Sequence, residues 1–304
     1  MRLLLAVTIA LLLGAGGAYA GPYEDGVAAY KRGDDATALS IFRPLAAQGE
    51  AGAQNFLGLM HELGRGVPKN PPEAVRWYRS SAAQGNAHGQ FSLGVSYQGG
   101  IGVTQDDAEA LKWLRLAAAQ GHRRAQFGLG VMYEKGLGVS QDQDESRKWY
   151  RLAAAQGDVD AQFSLGVSYY NGLGVARDFA EALKWFRLAV AEGHVGAQFG
   201  LGTMYALGLG VARDHAEALK LFRLAAAQGF SAGQFSLGTM YADGDGVAVD
   251  RVRAYMWMEL SAASGEAEAE KNRDILAKDM TPQQIAQAQK LARECKQREF
   301  KGCD

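Results

Sequence analysis

One phrase of 36 residues, written six times without a gap, constrains this chain more than any other feature. "AQFSLGVSYYNGLGVARDFAEALKWFRLAV" fills residues 161–190, and close variants begin at Ala53, Gly89, Ala125, Ala197 and Gly233. A unit repeated at fixed period cannot bury its own apolar side, whereas stacked copies can, so the period predicts a solenoid. An irregular further copy fills residues 21–52 and lacks about five residues in its middle. The six repeats occupy 53–268, and residues 269–304 lose the phrase and read as capping helices.

Each unit reads as two helices. Ala125, Leu129 and Tyr133 recur every four residues on one stripe, and Trp149, Tyr150, Ala153 and Ala154 form a second. Nothing alternates as a strand would. A glycine pair such as Gly136 and Gly138 ends the first helix, because glycine accepts the positive φ of a helix C-terminus. Asp142, Asp178 and their equivalents then supply an N-cap, with Glu145 and Glu181 three residues on as the second half of a capping box. Gly166 follows a core leucine and is expected to bring the two helices close, opposite the Ala-Ala run that precedes each loop. These roles account for 39 glycines against 6 prolines, an odd composition for one compact domain.

The pattern A-Q-F-x-L-G-x-x-Y-x-x-G-x-G-V-x-x-D-x-x-E-A-x-x-W, as at residues 161–185, resembles the Sel-1-like repeat family, relatives of the tetratricopeptide repeat. The resemblance implies an all-α fold, a right-handed superhelical solenoid of antiparallel helix pairs that serves as an adaptor for other proteins. Asn55-Phe56 shifts the usual aromatic, His61 replaces the tyrosine and Leu221 replaces the tryptophan. Some exported members carry a disulfide in each repeat and are linked to β-lactam-like or cell-wall compounds, but these repeats contain no cysteine.

The N-terminus reads as an export signal: Arg2, an apolar run over residues 3–13, and Ala18-Tyr19-Ala20 before a cut at Gly21. The run is too short for the roughly 30 Å of a bilayer core, so no membrane insertion is expected after cleavage of residues 1–20. The mature chain is expected to be periplasmic or secreted, and monomeric. A formal charge of −1 gives no pull toward nucleic acid.

Each group in the repeats that could carry chemistry has a simpler structural role. The five histidines, His61, His88, His122, His194 and His215, fall at no metal-ligand spacing, and His122 and His194 read as solvated loop residues. The recurring Asp and Glu would make five identical sites with no His, Ser or Cys beside them, so they read as caps. Residues 171–178, "NGLGVARD", follow a helix rather than a strand and read as a turn, not a phosphate cradle. The tryptophans, as at Trp149 and Trp185, read as packing against the partner helix rather than as a sugar platform. No catalytic residue, metal or cofactor is expected.

What varies between units is the pair at the end of each first helix: Gln98-Gly99, Glu134-Lys135, Tyr170-Asn171, Ala206-Leu207 and Ala242-Asp243. Counting 100° per residue places this pair opposite the core stripe, on the expected concave surface. Gln98, Glu134, Lys135, Tyr170 and Asn171 are therefore the candidate contacts for a partner, with Tyr170 as aromatic anchor. The expected function is a non-catalytic scaffold of the bacterial cell envelope that binds another protein or an envelope component. A cell-wall-fragment binder or hydrolase with a site spanning several repeats is the alternative.

The last helix is expected from Thr281 as N-cap, with Pro282 and Gln284 in a capping box and Ile285, Ala288, Ala292 and Cys295 along one face. A helix running straight through Cys295 and Cys303 would hold them roughly 12 Å apart, beyond the 7 Å or so that a disulfide tolerates. Gly302 lets the chain fold back, so a disulfide requires the helix to stop near Phe300.

Overall fold

The computed structural model describes residues 21–303; the export signal expected at 1–20 lies outside the described residues. All regular structure among them is helical, and the chain falls into two compact units meeting at residue 105/106. The first contains α1 (Pro22–Lys31), α2 (Asp35–Ala47), α3 (Ala51–Leu63), α4 (Pro71–Ala83) and α5 (Ala87–Gly99). The second contains α6 (Asp107–Ala119), α7 (Arg123–Lys135), α8 (Gln143–Ala155), α9 (Val159–Asn171), α10 (Phe179–Ala191), α11 (Val195–Leu207), α12 (His215–Ala227), α13 (Ser231–Asp243), α14 (Arg251–Ala262), α15 (Ala267–Ala277) and α16 (Pro282–Gln297).

Consecutive helices pack as pairs: α1 on α2 and α3 on α4 in the first unit, then α7 on α8, α9 on α10, α11 on α12 and α13 on α14 in the second. First helices also meet across repeats, α3 with α5 and α9 with α11. Each first helix of a repeat ends in a left-handed glycine. Gly136 at φ 69° caps α7, and Gly138 at φ 65° turns the chain against the start of α6, where a Cβ would lie 2.4 Å from the Asp107 carbonyl oxygen.

Three expectations about packing are corrected. Gly166 does not face an Ala-Ala run: a Cβ there would sit 2.5 Å from the ring of Phe186 on α10. The alanine run instead receives the start of the next repeat, as Ala225 does beneath Gly233. Where an aromatic follows the tryptophan, as Tyr78, Tyr150 and Phe186 do, that residue is the inward one, whereas on α14 Trp257 itself is buried at 2% exposure, as the sequence reading expects. Tyr150 and Phe186 are each 2% exposed, while Trp185 is half-buried at the seam, packed on the cluster of Tyr150, Ala153 and Leu165 from α8 and α9. One residue turns a helix by about 100°, enough to move a side chain from core to seam.

Third, the capping boxes of the second helices are half made. Asp178 accepts from the Glu181 amide at 3.0 Å, but Glu181 turns forward to Trp185 Nε1 (3.1 Å) and Lys184 (3.3 Å) instead of back to the cap. The box at Thr281 and Gln284 is complete, with both reciprocal bonds present.

At the C-terminus α15 and α16 both pack on α14, and α16 buries Ala288, Ala292 and Cys295 there. The helix stops at Gln297, earlier than Phe300, because Glu299 (φ 52°) and Phe300 (φ 64°) reverse the chain before Gly302 does. That reversal brings Cys303 back to Cys295, and the two are disulfide-bonded with their α-carbons 5.3 Å apart. No helix among the described residues is long and apolar enough to cross a membrane.

Candidate partner-binding surface

The variable pairs separate once their surroundings are visible. The first member of each pair is committed to its own repeat. Glu134 accepts a hydrogen bond from the Tyr150 hydroxyl, and its backbone carbonyl accepts from Gln141 Nε2 at 2.7 Å. Burial, then the bond to Glu134, pushes the Tyr150 phenol far above its ordinary range, so it stays a donor. In the first unit Glu62 receives the Tyr78 hydroxyl in the same way, at 2.8 Å.

Where the second helix offers a ring without a hydroxyl, the first helix offers no carboxylate. Tyr170 lies edge-on to Phe179 with ring centroids 5.7 Å apart and tilts over Phe186 at 6.4 Å. Ala206 and Ala242 sit half-buried against the core that contains Phe222 and Met256. Variation in this column therefore follows the residue opposite it, and Tyr170 is a packing residue rather than an anchor held out for a ligand. Gln98, half-buried on α5, occupies the same column.

The second member is different. Lys135, Asn171, Leu207 and Asp243 are all exposed, each the last residue of its first helix before the capping glycine. Neither propensity nor packing asks for a base, an amide, an aliphatic chain and an acid in turn. Of the sequence-based candidates, Lys135 and Asn171 are exposed and make no packing contact within their repeat, and Leu207 and Asp243 share their column.

Most other recurring polar groups are used inside the stack, in two ladders that repeat spacing alone does not disclose. Gln54, Gln90, Gln126, Gln162, Gln198 and Gln234 are buried, 0–7% exposed. The amide of Gln126 donates to the Ala118 carbonyl at 3.2 Å, and its oxygen accepts from Gln156 at 2.7 Å; Gln228 does the same for Gln198 at 2.8 Å. A buried amide that finds both partners costs little, and one that does not costs a desolvation penalty. In the second ladder an arginine of one repeat donates to a tyrosine hydroxyl of the next: Arg79 to Tyr97 in the first unit, then Arg115 to Tyr133, Arg151 to Tyr169, Arg187 to Tyr205 and Arg223 to Tyr241.

The histidines of the inter-repeat turns are not idle loop residues. His122 and His194 are N-caps: Nδ1 accepts the Ala125 amide at 3.2 Å and the Ala197 amide at 3.1 Å. His194 is also stacked on Phe163, centroids 4.4 Å apart. Burial lowers its pKa against the opposing pull of Asp160, whose carboxylate lies 3.4 Å from Nε2. Among the described residues no group of three or more His, Cys, Asp or Glu side chains is gathered to hold a metal.

Six consecutive segments, 51–86, 87–122, 123–158, 159–194, 195–230 and 231–266, match the Sel1 repeat. Their boundaries fall in the turns before the first helices, two residues ahead of the phrase as it reads in the sequence. No curated protein matches the chain. Among solved structures, it is similar to a Sel1 repeat protein from Oxalobacter formigenes at 32% identity and a TM-score of 0.72, over 80% of this chain and 97% of that one. It is also similar to c5321, a protective antigen of uropathogenic Escherichia coli with an SLR fold, at 32% identity and a TM-score of 0.62, over 93% of this chain and 69% of that one. Repeat period, paired helices and solenoid neighbours agree, and the chain belongs to the Sel1 repeat family.

Proposed function

We propose that this protein is a non-catalytic scaffold of the bacterial cell envelope, which holds another protein at the exposed ends of its first helices. Sel1 repeat folds generally mediate protein–protein interaction, and Sel1 repeat proteins are typically non-catalytic. The observation that carries the reading is the contrast between two adjacent columns. Residues 134 and 170 match the side chains opposite them, whereas Lys135, Asn171, Leu207 and Asp243 vary on the surface with nothing in the fold to dictate them. Freedom from packing is what a binding surface needs, since its residues are then set by the partner.

Two features support an envelope location. The N-terminal basic, apolar and small-residue segments have the order of an export signal, and the Cys295–Cys303 disulfide suits an oxidising compartment. The experiment places a photo-crosslinking amino acid at Asn171 or Asp243 of the full-length protein in living bacteria, followed by cell fractionation. A chain beginning at Gly21, released with the periplasm or medium and crosslinked to a second protein, is expected. A cytoplasmic chain that retains Met1, or one that crosslinks to nothing from either position, contradicts the reading.

A further inference from the structure

A second, unexplained surface lies on the opposite members of the helix pairs. Leu116 on α6, Leu152 on α8, Leu188 on α10 and Leu224 on α12 recur every 36 residues and are 44–50% exposed. The repeat does not require leucine there, because Ser80 fills the same column on α4 and is exposed as well. Each leucine has an exposed lysine four residues before it, as Lys148 before Leu152 and Lys184 before Leu188. These lysines pair only along their own helices, Lys148 with Glu145 at 2.8 Å and Lys184 with Glu181 at 3.3 Å. Exposed pairs of this kind are weak, so their cations remain open to another carboxylate.

The fifth leucine of the row shows what fits. Leu260 on α14 is 5% exposed, buried in the cluster that also holds Ala288, Ala292 and Cys295 of α16, with Ile285 and Leu291 packed against it. Two helices cover α14: α15, with Leu276 and Ala277 in the same cluster, and α16, an amphipathic helix with small apolar residues on its inner side. The chain after α16 carries this cover as far as the turn that follows α12, where Phe300 lies against Gly229. Leu224 is the next leucine along and is uncovered, so the exposed row continues directly from an interface the protein already makes.

We infer that the row from Leu116 to Leu224 docks an amphipathic helix of another protein, covering the second helices as α16 covers α14, with small apolar side chains inward and acidic residues on its flank toward the lysines. Directly packed helices lie roughly 8–10 Å apart, and successive second helices approach one another less closely than the paired helices do, so a partner climbs at least about six residues between leucines. Four contacts ask for at least about 20 residues of helix.

The test uses the full-length oxidised protein and a fluorescein-labelled peptide with the sequence of residues 282–297, bearing Gln283→Glu, Gln287→Glu and Cys295→Ala. Saturable binding by fluorescence anisotropy is expected, weakened at least about tenfold by Leu152→Lys with Leu188→Lys, since two half-exposed leucines lose their burial. A scrambled peptide of the same composition should not bind, and the melting temperature should not change. Equal binding to wild type and variant, or no binding, overturns the proposal. A wild-type dimer in sedimentation that the double variant abolishes assigns the row to a second copy instead, and flotation with anionic phosphatidylglycerol vesicles lost in the variant assigns it to a membrane. Either result overturns the helix partner. Because the row and the first-helix column lie on different helices, Asn171 crosslinking and Leu152 binding fail independently.

Discussion

Glu192 stands where four of the other five repeats place glutamine, the last having Ser264, and the consequence is local and measurable. The buried Gln162 oxygen has no partner, because the residue 30 positions on is a carboxylate that cannot donate. Gln126 and Gln198, whose counterparts are Gln156 and Gln228, are satisfied. Glu192→Gln is expected to raise stability by about 1 kcal/mol, read as a higher urea midpoint with unchanged slope. His194 sets a pH dependence. Its folded pKa is lowered by burial, so the unfolded chain takes up the proton first. The cap's contribution is complete above the unfolded value of about 6.5 and is lost as pH falls through the folded one. Urea midpoints should therefore drop between pH 7 and pH 5, and His194→Asn, which supplies a cap at either pH as Asn86 does, should drop less. Tyr170→Ala should destabilise by about 2 kcal/mol without touching the exposed column, since it leaves Phe179 and Phe186 without their neighbouring ring.

Helices are what the sequence discloses best here, because caps and period act together. The N-caps at Asp106, Asp142, Asp178, Asp214 and Asp250 all accept the amide of the third helical residue, where the sequence places them. What stays hidden is the rotation of one helix about its partner. Trp185 and Phe186 are adjacent and both aromatic, and only the contact with Gly166 shows which of them enters the core. The same limit applied to Glu134 and Tyr170: their variation resembles that of a binding surface until Tyr150 and Phe186 are seen opposite them. The docking of α16 on the last repeat was legible, since the apolar face of Ile285, Ala288, Ala292 and Cys295 marks a cap for an open end, and that face meets α14. Gly166→Ala is expected to cost about 1–3 kcal/mol by forcing α9 and α10 apart. Reduction of Cys295–Cys303 should cost about 2–3 kcal/mol by the loop-entropy account for a separation of 8 residues, seen as faster hydrogen exchange in α16 with little change in α7 to α10.

At the scale of the whole molecule, stability comes from neighbour-to-neighbour terms, so residues that face neither the paired helix nor the next repeat are idle in folding. The glutamine and arginine–tyrosine ladders are the polar part of those terms, and the aromatic–glycine contacts the apolar part. The first-helix ends at Lys135, Asn171, Leu207 and Asp243 belong to neither. The claim that they serve a partner is tested most directly by one paired measurement on Lys135→Glu, Asn171→Arg, Leu207→Glu and Asp243→Lys combined: urea denaturation, together with affinity for the protein that crosslinks to Asn171. An unchanged midpoint with binding lost is predicted. Unchanged binding, or a midpoint that falls along with it, would contradict the account.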